Sequence, residues 1–132
     1  MLMKLLIAAL LTAFSTGAMA EWTYLTSKED MTHDIYIDKT TIRQKGNVAR
    51  MWDLTDFKAP QKVAGGEPFL SLRRLTEYDC VEIRTNSLAL TYFSGNMGKG
   101  EVVFSHQYKD EKWRDVAPET VGMLQWQAAC KK

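Results

Sequence analysis

The chain has almost no charge of either sign to spare. Its 132 residues hold 17 basic and 16 acidic side chains, a formal charge of +1. Lys4 is the one charged residue among the first twenty, so residues 21–132 are neutral, with 16 of each sign. Sequence-independent binding to nucleic acid or anionic lipid needs a basic excess, and that class is excluded. Disorder is excluded too, because disordered chains carry more net charge and fewer aromatics than the 11% present here.

Catalytic and metal-binding signatures are also missing. Histidine occurs twice, at His33 and His106, with no HxxxH or HExxH spacing and no Cys/His cluster. Ser94 precedes Gly95, but no GxSxG elbow surrounds it. Met97-Gly98-Lys99-Gly100 lacks the Ser or Thr that follows the lysine of a phosphate loop, and Phe93 stands where its first glycine belongs. Asp53 and Asp56 are the nearest thing to a carboxylate pair, and near a strand end such groups are usually solvated. The reading is a protein without catalytic residues, metal or cofactor.

Long apolar segments are confined to the N-terminus. Residues 1–4 end in Lys4, residues 5–14 are apolar, and Ala18-Met19-Ala20 supplies small residues for a signal peptidase. The run is shorter than the roughly 18 residues that span a bilayer. Residues 1–20 are therefore expected to be an export signal and residues 21–132 one domain, periplasmic or secreted. Glu21, not cysteine, follows the cleavage site, so a lipid anchor is not indicated and no membrane span is expected.

Cysteine is scarce, and export gives the two that exist their meaning. Cys80 and Cys130 lie 50 apart with no CxxC. In an oxidising compartment a single intrachain disulfide is the expected state.

Period-two patterning dominates most of what remains. Strands are expected at residues 22–25, 33–38, 48–57, 69–78, 81–93 and 101–108. Lys45-Gly46-Asn47 reads as a turn, residues 58–68 as the longest and most contact-prone loop, and residues 95–100 as a hairpin loop. Within 48–57, Val48, Trp52 and Leu54 share one face and Asp53 and Thr55 the other. In 81–93 the apolar parity changes, so a bulge or tight turn is required near Thr85-Asn86. At the C-terminus, Pro118 and Glu119 suit a first helical turn, and Val121, Leu124 and Ala128 recur at helical spacing with Gln125 and Gln127 outward. The fold class is α+β: an antiparallel sheet of about six strands with one C-terminal helix on a face, fastened by Cys80–Cys130.

Binding is the remaining functional signal. Arg73, Arg74 and Arg84 cluster if their strands pair, with Tyr78, Tyr92, Tyr108, Trp113 and Trp126 as large amphipathic partners, the usual anchors of protein interfaces. An exposed sheet edge is a second candidate, open to strand addition by a partner or a second copy.

One series of residues sharpens this. Trp22-Thr23-Tyr24, Tyr36-Ile37-Asp38 with Thr41-Ile42, and residues 48–54 are followed by Tyr78-Asp79-Cys80 and Arg84. Tyr92-Phe93-Ser94-Gly95, residues 97–100, Trp113, Val116-Ala117-Pro118 and Cys130 complete it. Together they resemble the surface-adhesin protein E family of small exported bacterial proteins. The resemblance implies an antiparallel sheet with one helix, a non-enzymatic role, a protein partner such as a host matrix or plasma protein, and homodimer formation. An envelope inhibitor or accessory protein is the alternative.

Overall fold

Ala49, Met51, Asp53 and Thr55 are all buried along one face of a fifteen-residue strand, and that alternation organises the molecule. The computed structural model describes residues 20–132, so the expected export signal, Ala20 apart, lies outside the described residues. The strands are β1 (Thr23–Ser27), β2 (His33–Lys45), β3 (Val48–Lys62), β4 (Pro68–Asp79), β5 (Arg84–Phe93), β6 (Val102–Gln107) and β7 (Arg114–Asp115). The first six form an antiparallel meander in chain order, and the two-residue β7 pairs with β5 beside Arg84 and Thr85. Gly46 takes a left-handed φ of 61° in the two-residue turn that joins β2 to β3.

The helix α1 (Val121–Cys130) lies on one face of this sheet. Its Trp126, Ala129 and Cys130 pack with Ile37, Ala49, Met51 and Tyr78, and Leu25, Ile42 and Met123 close around them. The Cys80–Cys130 disulfide joins the end of α1 to the turn after β4, with Cα atoms 5.5 Å apart. The expected class, α+β with a six-strand antiparallel sheet, one C-terminal helix and one disulfide, is the observed one.

Four local expectations need correction. First, Thr120, not Pro118, opens the helix: its side chain accepts from the Met123 N–H at 3.2 Å, and Glu119 before it is left-handed at φ 60°. Second, the buried stripe of α1 is Trp126, Ala129 and Cys130, Leu124 is exposed, and Gln125, expected outward, is half-buried, because Trp126 is the side chain large enough to fill the space over β3 and β4. Third, residues 81–83 form a turn and not a strand. Asp79 Oδ1 accepts the N–H groups of Val81 and Glu82, which closes the chain before a strand can start.

The fourth correction concerns the loop expected at residues 58–68. β3 runs on to Lys62, so only residues 63–67 connect it to β4. A bulge between Asp56 and Gln61 absorbs the extra residues, and the Lys58 N–H reaches the Thr32 carbonyl at 3.1 Å.

Candidate functional site

Cross-strand register decides which side chains share a face. Asp53 stands opposite Arg74, Thr55 opposite Leu72, Met51 opposite Thr76 and Ala49 opposite Tyr78. All of these lie on the helix side of the sheet. On β5 the same side carries Thr85, Ser87, Leu90 and Tyr92. α1 covers only the Ala49–Tyr78 end, so a groove of about 440 Å³ opens between Val121, Gly122 and Gln125 of the helix and β2 to β5. Ile35, Thr55, Leu72, Thr76 and Tyr78 are its buried floor, and Arg74, Thr85 and Ser87 rise along one wall.

Three polar atoms around this floor have no hydrogen-bond partner among the described residues: Tyr78 OH, Arg74 Nε and Asp53 Oδ1. Burial pushes the Asp53 carboxyl up to about 6, against the pull of the Arg74 cation. Burial likewise pushes the Tyr78 phenol up, so it stays a hydrogen-bond donor at neutral pH. Asp53 was expected on a solvated strand end, yet it is 2% exposed, because the face it occupies is the helix side.

Beyond Arg74 a second depression of about 330 Å³ shares Thr85 and Ser87 and adds Lys112, Arg114, Asp110 and Tyr108. Beside both runs a row of rings that the helix does not reach. His33 meets Phe57 at 5.2 Å, Phe57 meets Phe69 at 5.8 Å, and Phe69 stacks on Tyr92 at 4.3 Å. Tyr92 continues to Phe104 at 5.2 Å, and His106 meets Tyr108 at 4.7 Å. Phe104 is 47% and Tyr108 43% exposed.

The three arginines singled out from the sequence do not form one patch. Successive residues of a strand point to opposite faces. Arg73 therefore lies on the far side, its guanidinium 4.7 Å from the Trp52 ring and 5.5 Å from the Phe93 ring. Arg74 faces the groove. Arg84 is held by Asp79 at 3.1 Å and stacks over Trp113 at 5.1 Å.

Other sequence candidates are also accounted for. Asp56 faces away from Asp53 and accepts from Asn96 Nδ2 and the Met97 N–H, while the Gly98 N–H goes to Ser71 Oγ. The donors of this loop are thus spent inside the fold and cradle no phosphate. His33 and His106 sit on β2 and β6, with the ring row between them. Sequence reading missed the groove because its members come from four strands and a helix, and only register brings them together.

This sheet with its tethered helix is an α+β antiparallel meander closed by one disulfide. Residues 22–131 match the model of the family described as surface-adhesin protein E, and the chain belongs to that family. Among solved structures, Haemophilus influenzae protein E in its second crystal form is 15% identical, with 82% of this chain and 87% of that one covered at a TM-score of 0.59. Its selenomethionine form gives 14% identity, coverage of 82% and 85%, and a TM-score of 0.60. Protein E from non-typeable Haemophilus influenzae gives 13% identity, coverage of 86% and 79%, and a TM-score of 0.58. At these identities the likeness is one of fold. No curated protein matches the chain.

Proposed function

We propose that the chain is an exported, non-enzymatic protein-binding module of the bacterial cell envelope, periplasmic or secreted, whose contact surface is the part of the sheet that α1 leaves open. The ring row at Tyr92, Phe104 and Tyr108, half-buried at the first and exposed at the other two, carries this reading. Aromatic clusters of this kind, rimmed by polar groups, are what protein partners bury. The apolar run and small residues at 1–20 support export, and the family supports a host matrix or plasma protein as the partner class. Of the three arginines, Arg74 alone faces this surface.

The test is retention of immobilised matrix and plasma proteins, beside envelope extract, by wild type and by Phe104→Ser/Tyr108→Ser. Both side chains are exposed, so the variant keeps its fold. Loss of the retained partner assigns the face, and equal retention removes it. A partner drawn only from envelope extract supports the inhibitor or accessory reading.

A second copy is a further partner class, and β6 supports it. Val102 to Tyr108 is an uncharged run at the outer edge of the sheet, without the lysines, prolines or added charges that usually blunt such edges. Tyr108 N–H bonds inward to Leu88, so by alternation Ser105 and Gln107 turn their backbone groups outward. Glu101 and Lys109 lie at equal distances on either side of Ser105. An antiparallel copy centred on Ser105 sets each Glu101 against a Lys109 and each Phe104 against a His106.

A further inference from the structure

We propose that the groove between α1 and the sheet is a carboxylate-binding site that takes the free C-terminus of a peptide ending in an apolar residue. Two buried donors border this groove without partners among the described residues. Tyr78 is 1% exposed and lines the groove beside Thr76, and its hydroxyl meets no hydrogen-bond geometry among the described residues. The Nε of Arg74 is likewise buried and unbonded. Both side chains line the groove and carry donors, and a carboxylate is an acceptor that a guanidinium matches in plane.

Charge points the same way. The chain is close to neutral, yet Arg74, Lys112 and Arg114 gather around Thr85 and Ser87 with Asp110 as their single carboxylate neighbour in that depression. None of the three cations takes part in an ion pair among the described residues, where the pairs are Lys28–Asp30, Arg50–Glu77 and Arg84–Asp79. The field they set up is focused where an anion would enter.

Shape supplies the rest. Ile35, Leu72 and Phe57 give an apolar bed beside Arg74, and the hydroxyls of Thr55, Thr76 and Thr85 stand next to it for peptide amides and carbonyls. A volume of about 440 Å³ suits two or three residues, not a folded surface. The monoanion is favoured over a phosphate because Arg74 is the one guanidinium that lines the groove and Asp53 stands directly across from it on β3. The site draws on the binding-module reading only for the peptide as the source of the acid.

The test is titration of the protein, followed by calorimetry and amide NMR, with three probes: Gly-Gly-Leu as the free acid, its C-terminal amide, and inorganic phosphate. The acid should bind with shifts centred on Thr55, Thr76 and Thr85, and the amide at least tenfold more weakly. Arg74→Gln should weaken the acid at least tenfold. Arg114→Gln, at an exposed position that the core does not need, should weaken it two- to threefold, while Arg84→Gln leaves it unchanged. Equal binding of acid and amide, absence of binding, or phosphate binding as tightly as the acid would each overturn the site. Retention of a protein partner with no acid-dependent binding would overturn the groove alone and leave the module reading standing.

Discussion

The indole Nε1 of Trp126 donates to the backbone carbonyl of Asp79 at 2.7 Å, a buried hydrogen bond between residues 47 apart in the chain. It fastens α1 to the end of β4, one residue before the disulfide at Cys80 fastens it again. Trp126→Phe keeps an aromatic ring but leaves the Asp79 carbonyl buried without its donor, at a cost of about 1–3 kcal/mol. Urea denaturation should show a lower midpoint with an unchanged slope. A midpoint equal to that of wild type would mean that the bond adds nothing.

The disulfide should count for more. Closing a loop of 50 residues removes chain entropy from the unfolded state worth about 4 kcal/mol. A domain of this size has a total stability of about 5–15 kcal/mol. Reduction should therefore lower the thermal midpoint by well over ten degrees. Cys80→Ala/Cys130→Ala and Trp126→Phe should then combine non-additively, since both release the same helix from the same strand end.

How much of this was legible in the sequence depends on whether a feature is local. The alternation of Ile35 and Ile37, and the Lys45-Gly46-Asn47 turn, depend on neighbouring residues, and the strands they mark exist. The parity change between Ile83 and Leu88 was visible, but its cause was not. It comes from a turn in which Ile83, a β-branched residue, sits at a left-handed φ of 49°, and from a bulge that leaves Leu88 unpaired between Ala89 and Ser87. Period alone cannot show a residue held against its own preference by Asp79. The divergence of Arg73 and Arg74 follows from alternation once both lie in one strand. The groove needs the β3–β4 register and the placement of α1, which no local pattern contains.

Asp53 should make stability rise as pH falls through mild acid. Its folded-state carboxyl lies at about 6, above the ordinary value of 3.8, so the folded protein holds this proton more tightly than the unfolded chain does. The contribution is complete below the unfolded value, is lost as pH rises through 6, and is flat beyond it. A shift of about two pH units corresponds to about 3 kcal/mol. Asp53→Asn should raise the melting temperature by several degrees at about pH 8 and leave it unchanged at about pH 4. Asp79 works in the opposite sense. The N–H of Glu82, then that of Val81, and Arg84 hold its carboxyl below the ordinary range, so its contribution is lost as pH falls through that lowered value. That acid limb should persist in the variant. Melting curves that differ by the same amount at both pH values would refute the role of Asp53.

Ser105→Pro isolates the outer edge of β6 from everything behind it. The Ser105 N–H faces away from β5, so its loss removes no bond of the sheet, and proline is tolerated on an edge in this orientation. The fold and the Phe104–Tyr92 contact at 5.2 Å should therefore survive. What the ring would block is an added antiparallel strand, because Ser105 would be the centre of the self-complementary pairing proposed for a second copy. Light scattering on the eluted protein should give a dimer for wild type and a monomer for Ser105→Pro. Glu101→Lys should weaken the dimer by setting like charges against each other, and Glu101→Lys/Lys109→Glu should restore it. A wild-type monomer at high concentration would leave the edge to a different protein. A dimer unchanged in all three variants would place the contact elsewhere on the sheet.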